Sequence, residues 1–143
     1  MDTRCTPERI SLCYIYDQFS YFRINRRSSK YSFPGFVCPI QLESLGYKVT
    51  TRTSSAEALE LFKAKPEKFD LVVTDMTMPN MTGDELAEEL IALRSDIPVI
   101  LCTGFSTRIN KEKAQRMGIR ALVMKPIVRR EIAKTIRLVL DEK

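Results

Sequence analysis

Histidine is absent from all 143 residues. That absence removes His-based nucleophile–base pairs, His-ligated metals and histidine phosphorylation within this chain. If phosphoryl chemistry occurs here, a partner must supply any phosphohistidine. No apolar run approaches the length of roughly 20 residues that a membrane-spanning helix needs. Asp2 and Glu8 interrupt the basic-then-apolar layout of a secretory signal. The four cysteines (Cys5, Cys13, Cys38 and Cys102) lack metal-ligand or redox-motif spacing. Cys102 lies inside an apolar run and reads as a free buried thiol, so a reduced, cytoplasmic setting is expected. Residues 18–42 contain no Asp or Glu. No Gly-rich or Ser/Thr-rich phosphate loop follows the first strand-like segment.

The net charge of +5 is unevenly spread. Residues 1–41 hold six basic and three acidic side chains, and residues 42–143 hold seventeen and fifteen. Arg23, Arg26, Arg27 and Lys30 form a basic cluster. It reads as a solvated patch, because no recognition-helix pattern accompanies it, and nucleic acid is not an expected partner.

What is present is a regular alternation of strands and helices. Residues 1–9 read as a flexible tail, and 10–143 as one domain, of which 10–41 is the atypical part. Ile10–Tyr16 is rich in strand formers and is followed by Asp17. Residues 18–41 carry aromatics, the basic cluster and a Pro34–Gly35 turn signal, without a clear element. A short helix runs into Leu45, and Gly46 ends it. Tyr47–Arg52 is a strand. Ser54 or Ser55 caps a helix to about Ala64, with Ala58, Leu59 and Phe62 on one face. Phe69–Thr74 is a strand, and Thr82 or Asp84 opens a helix bearing Leu86, Leu90 and Leu93. Ile97–Cys102 is a strand, Thr107–Met117 a weakly amphipathic helix stopped by Gly118, and Ala121–Met124 a strand. The last helix spans about Val128–Leu140, with Val128, Ile132, Ile136 and Leu140 four apart. The strands are continuous apolar runs, as burial on both faces of a parallel sheet requires. The expected fold is α/β, a small doubly wound five-stranded parallel sheet, with its site outside the carboxyl ends of the strands.

Three strands end alike: Leu-Val-Val-Thr in Asp75, Val-Ile-Leu-Cys in Thr103, and Ala-Leu-Val-Met in Lys125 followed by Pro126. In a parallel sheet these ends share one edge, so a carboxylate, a hydroxyl and an ammonium converge. An Asp oxygen can act as a nucleophile toward phosphorus, giving an acyl phosphate. The charge spread over the phosphoryl oxygens then calls for a cation and a donor already in place. Lys125 and Thr103 supply them. A hard divalent ion such as Mg²⁺ would bridge carboxylate and phosphoryl oxygens, and needs a further acid beside Asp75. Each residue alone has a blander reading: a turn aspartate, a strand-end hydroxyl, a surface lysine. Their common register is what gives them meaning.

The run Asp70-Leu-Val-Val-Thr-Asp75-Met-Thr-Met-Pro79-Asn-Met-Thr-Gly83, then Pro98-Val-Ile-Leu-Cys-Thr103-Gly, then Met124-Lys125-Pro126, resembles the receiver domain of two-component response regulators. The likeness covers residues 42–143. It implies a flavodoxin-like fold with strand order 2-1-3-4-5 and helices on both faces. It implies phosphorylation on Asp75 by a sensor histidine kinase or a histidine phosphotransfer protein, with signalling by conformational change. In that likeness Thr103 is the switch hydroxyl, Lys125 contacts the phosphate, and the Thr77 backbone carbonyl is a metal ligand with Asp75. The Lys125–Pro126 bond is commonly cis in the family. The protein would be a signalling phosphoacceptor rather than an enzyme, cytoplasmic and not membrane-bound. Its last two helices could meet partners or a second copy.

Two positions depart from the family pattern. Receivers carry an acidic pair at the end of the first strand. Here only Asp17 is near, and using it requires an insertion before Leu42. Receivers also carry an aromatic switch residue three before the lysine, where this chain has Leu122. The change in character near Leu42 is also what a replaced or frame-shifted first segment would produce. The alternative function is a pseudo-receiver that keeps the fold as an interaction module without metal or phosphate. A phosphatase-type hydrolase would want a carboxylate two residues after Asp75, where Thr77 stands.

Overall fold

A computed structural model describes residues 10–16, 39–104, 109–125 and 127–142. The elements are β1 (Ser11–Ile15), α1 (Pro39–Ser44), β2 (Lys48–Arg52), α2 (Ser55–Ala64), β3 (Leu71–Asp75), α3 (Gly83–Leu93), β4 (Val99–Thr103), α4 (Lys111–Arg116), β5 (Ala121–Met124) and α5 (Arg129–Asp141). All strand pairs are parallel, in the order β2-β1-β3-β4-β5. The expected doubly wound sheet is therefore present, with its reversal of strand order between β1 and β3.

Parallel strands need both faces covered, and the side chains divide accordingly. Cys13, Ile15, Val72, Val99 and Leu101 enter one core with Ala58, Leu59 and Phe62 of α2, Leu86, Ala87 and Leu90 of α3, and Ala114 of α4. Leu12, Tyr14, Leu71, Val73, Ile100 and Cys102 enter the other, with Leu42 from the end of α1 and Ile132, Ile136 and Val139 of α5. The segment 10–16 is thus a working part of the sheet. β1 lies between β2 and β3, and Leu12, Cys13, Tyr14 and Ile15 are buried.

Local chemistry sets the element ends. The Ser54 side chain accepts the Glu57 N–H and opens α2. Glu85 accepts the Thr82 N–H at 3.0 Å at the start of α3. Gly46, at φ 98°, closes the turn after α1 as a left-handed stop. Arg94 stitches the end of α3 to the approach to β3, donating to the Phe69 carbonyl at 2.6 Å and the Pro66 carbonyl at 3.1 Å.

The boundaries correct the sequence reading in three places. β3 and β4 each start two residues later and end one later than expected, so Asp75 and Thr103 are the last residues of their strands. The helix expected over Thr107–Met117 begins only at Lys111, because Asn110 is its cap and accepts the Lys113 N–H at 2.8 Å. Leu93 and Val128, expected on apolar stripes, are exposed. Leu93 is the last residue of α3, and Val128 stands before α5, where a helix face has ended or not yet begun. The tail, Asp17, the basic cluster, Pro34–Gly35 and Pro126 lie outside the described residues. No helix among the described residues is long and apolar enough to cross a membrane.

Candidate functional site at the carboxyl edge of the sheet

β3 is buried along its whole length, and its last residue is the buried carboxylate of Asp75. Such a charge needs a partner. Lys125, directly after β5, provides it, with Nζ 2.5 Å from Asp75 Oδ1. The same oxygen accepts the Thr77 N–H at 3.3 Å. The Lys125 backbone N–H also donates to the Thr103 carbonyl at 2.7 Å, fixing the end of β5 to the end of β4. The edge therefore brings Asp75, Thr103 and Lys125 to neighbouring strand ends.

The loop after β3 is shaped by close backbone approach. The Gly83 N–H donates to the Met76 carbonyl at 2.9 Å. A Cβ at Gly83 would lie 2.2 Å from the Asp75 carbonyl oxygen and 2.7 Å from Leu101 Cδ1. Only glycine lets α3 start this near the functional strand. Asn80 takes a positive φ of 71° within the same loop, as Asn tolerates. The Ser55 hydroxyl donates to the Met81 carbonyl at 2.9 Å, tying this loop to the start of α2.

The neighbours of Asp75 follow from register. Asp75 pairs with Cys102 on β4. On β1, Ile15 pairs with Thr74, so Tyr16 stands level with Asp75. Its ring lies 5.7 Å from that of Tyr14. Burial pushes the Cys102 thiol up to about 12, with the Asp75 charge adding to the rise and Lys125 opposing it. Burial likewise raises Cys13 to about 11. Neither thiol is a nucleophile at neutral pH.

A hard divalent ion takes several oxygen ligands, including one or two carboxylates. Among the described residues the site offers the Asp75 carboxylate, already paired with Lys125 and bonded by the Thr77 N–H; the Thr77 carbonyl is the further ligand that the resemblance implies. No cluster of three or more acidic or cysteine side chains suited to a metal occurs among them. Level with Asp75, the residue after β1 is Tyr16, and Asp17 lies outside the described residues. Among the described residues, then, the second carboxylate that a tightly held divalent ion takes does not stand beside Asp75.

Register also reveals what the sequence concealed. Thr103 pairs with Met124, and Leu101 with Leu122. The buried Thr103 hydroxyl donates to Met124 Sδ at 3.3 Å. Leu122 packs against the core beneath α2, α3 and α4. It occupies the switch position named from the sequence and has no polar group to offer there.

Comparison with known proteins agrees with this architecture. The two-component response regulator ARR10 of Arabidopsis thaliana is 37% identical over 86 residues, which is 60% of this chain and 15% of that protein. The response regulator SaeR of Staphylococcus aureus (strain USA300) is 33% identical over 104 residues, 73% of this chain and 44% of that protein. The chain thus spans less than half the length of either relative. A response regulator receiver domain protein from Clostridium thermocellum has the same fold, with a TM-score of 0.76 at 24% identity, covering 93% of this chain and 95% of that one. Residues 37–137 match the family model described as the response regulator receiver domain, and on that match the chain belongs to the receiver-domain family of two-component response regulators.

Proposed function

We propose that this protein is a phosphoacceptor in two-component signalling and that Asp75 is the residue modified. The observation that carries the reading is the Asp75–Lys125 pair at the tip of β3, in a family of receiver domains. A carboxylate oxygen of Asp75 attacks the phosphorus of a phosphohistidine on a sensor kinase or phosphotransfer protein. The P–N bond breaks, its electron pair stays with the imidazole, and a mixed anhydride forms on Asp75. Negative charge moves outward onto the phosphoryl oxygens. The Lys125 ammonium follows it, being already beside the carboxylate and partly open to solvent. Thr103, at the neighbouring strand tip, donates its hydroxyl to a phosphoryl oxygen. The backbone beside Asp75 and Thr103 then settles in a second arrangement that a partner reads. Leu138, 55% exposed on α5, gives a partner or a second copy an apolar group to grip.

The test is incubation with acetyl phosphate, followed by intact mass and peptide mapping. The expected result is a labile gain of one phosphoryl group at Asp75 that is lost in Asp75→Asn. The paucity of carboxylates around Asp75 among the described residues favours one rival, a pseudo-receiver acting only as an interaction module. Absence of the adduct under phosphotransfer from a phosphorylated histidine domain as well would decide for the rival.

A further inference from the structure

The polar groups of the site divide into those facing the reaction and one that faces away from it. Thr103 is 2% exposed as a residue, and its hydroxyl donates to a sulfur atom. That sulfur belongs to Met124, which is 47% exposed at the end of the edge strand β5. The pairing is built in, because Thr103 and Met124 are lateral neighbours in register on adjacent parallel strands. The following residue on β5 is Lys125, whose backbone N–H is bonded to the Thr103 carbonyl. Leu122, two residues earlier on the same face, is packed beside Leu101 and cannot exchange hydrogen bonds with a hydroxyl.

We infer that Met124 is a positioning residue: its thioether holds the Thr103 hydroxyl in the unphosphorylated state and is released when that hydroxyl turns to a phosphoryl group on Asp75. The inference rests on the proposed chemistry at Asp75. A thioether is a weak acceptor, and a phosphoryl oxygen is a charged, strong one. The hydroxyl therefore has a satisfied resting place from which it leaves at small cost. An oxygen acceptor in place of the sulfur would hold it more firmly, and an apolar side chain would leave a buried hydroxyl without this partner. Release also frees a flexible, exposed, apolar side chain at the end of β5, next to the lysine that has moved with the phosphate. The signal thus reaches the surface through Met124, on the sheet face where Leu122 offers no polar group.

The methyl group of Met124 is a direct reporter. Protein labelled with ¹³C in the methionine methyls is recorded free and after acetyl phosphate, as wild type, Thr103→Val, Thr103→Ser and Met124→Leu. In free protein, Thr103→Val moves the Met124 methyl resonance, while Thr103→Ser, which retains a hydroxyl, leaves it near the wild-type position. Phosphorylation of wild type moves that resonance in the same direction as Thr103→Val, and Thr103→Val itself shows little further change. Met124→Leu, at an exposed site, keeps the fold by far-UV circular dichroism and speeds phosphoryl uptake roughly two- to tenfold, the range expected from removing one weak ground-state hydrogen bond. A Met124 resonance indifferent to Thr103→Val overturns the latch even if Asp75 is phosphorylated. So does a resonance that stays fixed while the mass shows a full adduct. Failure of Asp75 to accept phosphate is read separately by mass and removes the release step, whereas the free-protein spectra still decide whether the thioether holds the hydroxyl.

Discussion

Replacing Gly83 with alanine sets two effects of opposite sign against each other. Gly83 is the first residue of α3. In an open helix, Ala is favoured over Gly by up to about 1 kcal/mol. Here the new methyl would stand 2.2 Å from the Asp75 carbonyl oxygen and 2.9 Å from its carbonyl carbon. Comfortable C···O contacts are about 3.3 Å or more, so roughly an ångström of backbone movement is needed. The obstructing atoms belong to the end of a buried strand, which cannot swing aside like a side-chain tip. Overpacking of this kind costs ~1–3 kcal/mol, and a backbone collision belongs at the upper end of that range. The net expectation is a loss of about 2 kcal/mol, since the helical gain is small in a first turn. With a urea slope of about 2 kcal/mol/M, the midpoint falls by about 1 M. Far-UV circular dichroism in urea measures it. Gly104→Ala is the control, because a Cβ there meets nothing within 4 Å. If Gly83→Ala unfolds at or above the wild-type midpoint, α3 does not press on the Asp75 carbonyl, and the account of how the acceptor is positioned fails.

Other outcomes follow from the same geometry. Lys125→Met removes the cation beside the buried Asp75 carboxylate, and the stable adduct from acetyl phosphate should drop by at least tenfold, read by intact mass. A Mg²⁺ titration followed by amide shifts near Asp75 and Thr77 should saturate only at roughly millimolar concentration or above, given one carboxylate and one carbonyl; micromolar affinity would show that Asp17 completes the site. The Cys102 and Cys13 thiols, at about 12 and 11 when folded against an ordinary 9.0, keep their protons into alkaline solution. Because the folded values are raised, their contribution to stability is full below about pH 9 and fades as pH rises from there through 11 to 12. Urea midpoints should therefore decline above pH 9, and a serine at both positions should flatten that part of the slope. At pH 8 a thiol reagent should label neither cysteine until the protein is unfolded.

The sequence exposed the convergence of Asp75, Thr103 and Lys125 because continuous apolar runs mark buried parallel strands, and polar residues at their ends then share an edge. It could not expose which side chains are lateral neighbours. That Thr103 stands beside Met124, and that Tyr16 stands level with Asp75, depends on pairing register, which apolar runs without alternation leave unspecified. The first strand was legible from its composition, while the shift of β3 and β4 toward their functional ends was not. Apolar residues such as Phe69 and Ile97 are buried just outside the ladder and read as strand. The start of α4 went astray because Asn110 caps more strongly than the weak pattern before it suggests.

The placement of β1 has a further consequence. β1 is internal to the sheet, and Tyr16, directly after its end at Ile15, reaches the rim where Asp75 sits, while the next described element, α1, starts at Pro39. The chain therefore leaves the sheet at this rim, and residues 17–38 lead in sequence to α1. The entropic cost of closing a loop grows only slowly with its length, so the rim of a sheet tolerates added chain better than a strand interior does. A parallel sheet of this kind separates its two inheritances: the strand interiors carry the memory of the fold, and the rim is free to be rewritten. A substitution at the rim can therefore change what the site meets while the buried strands keep the sheet as it is.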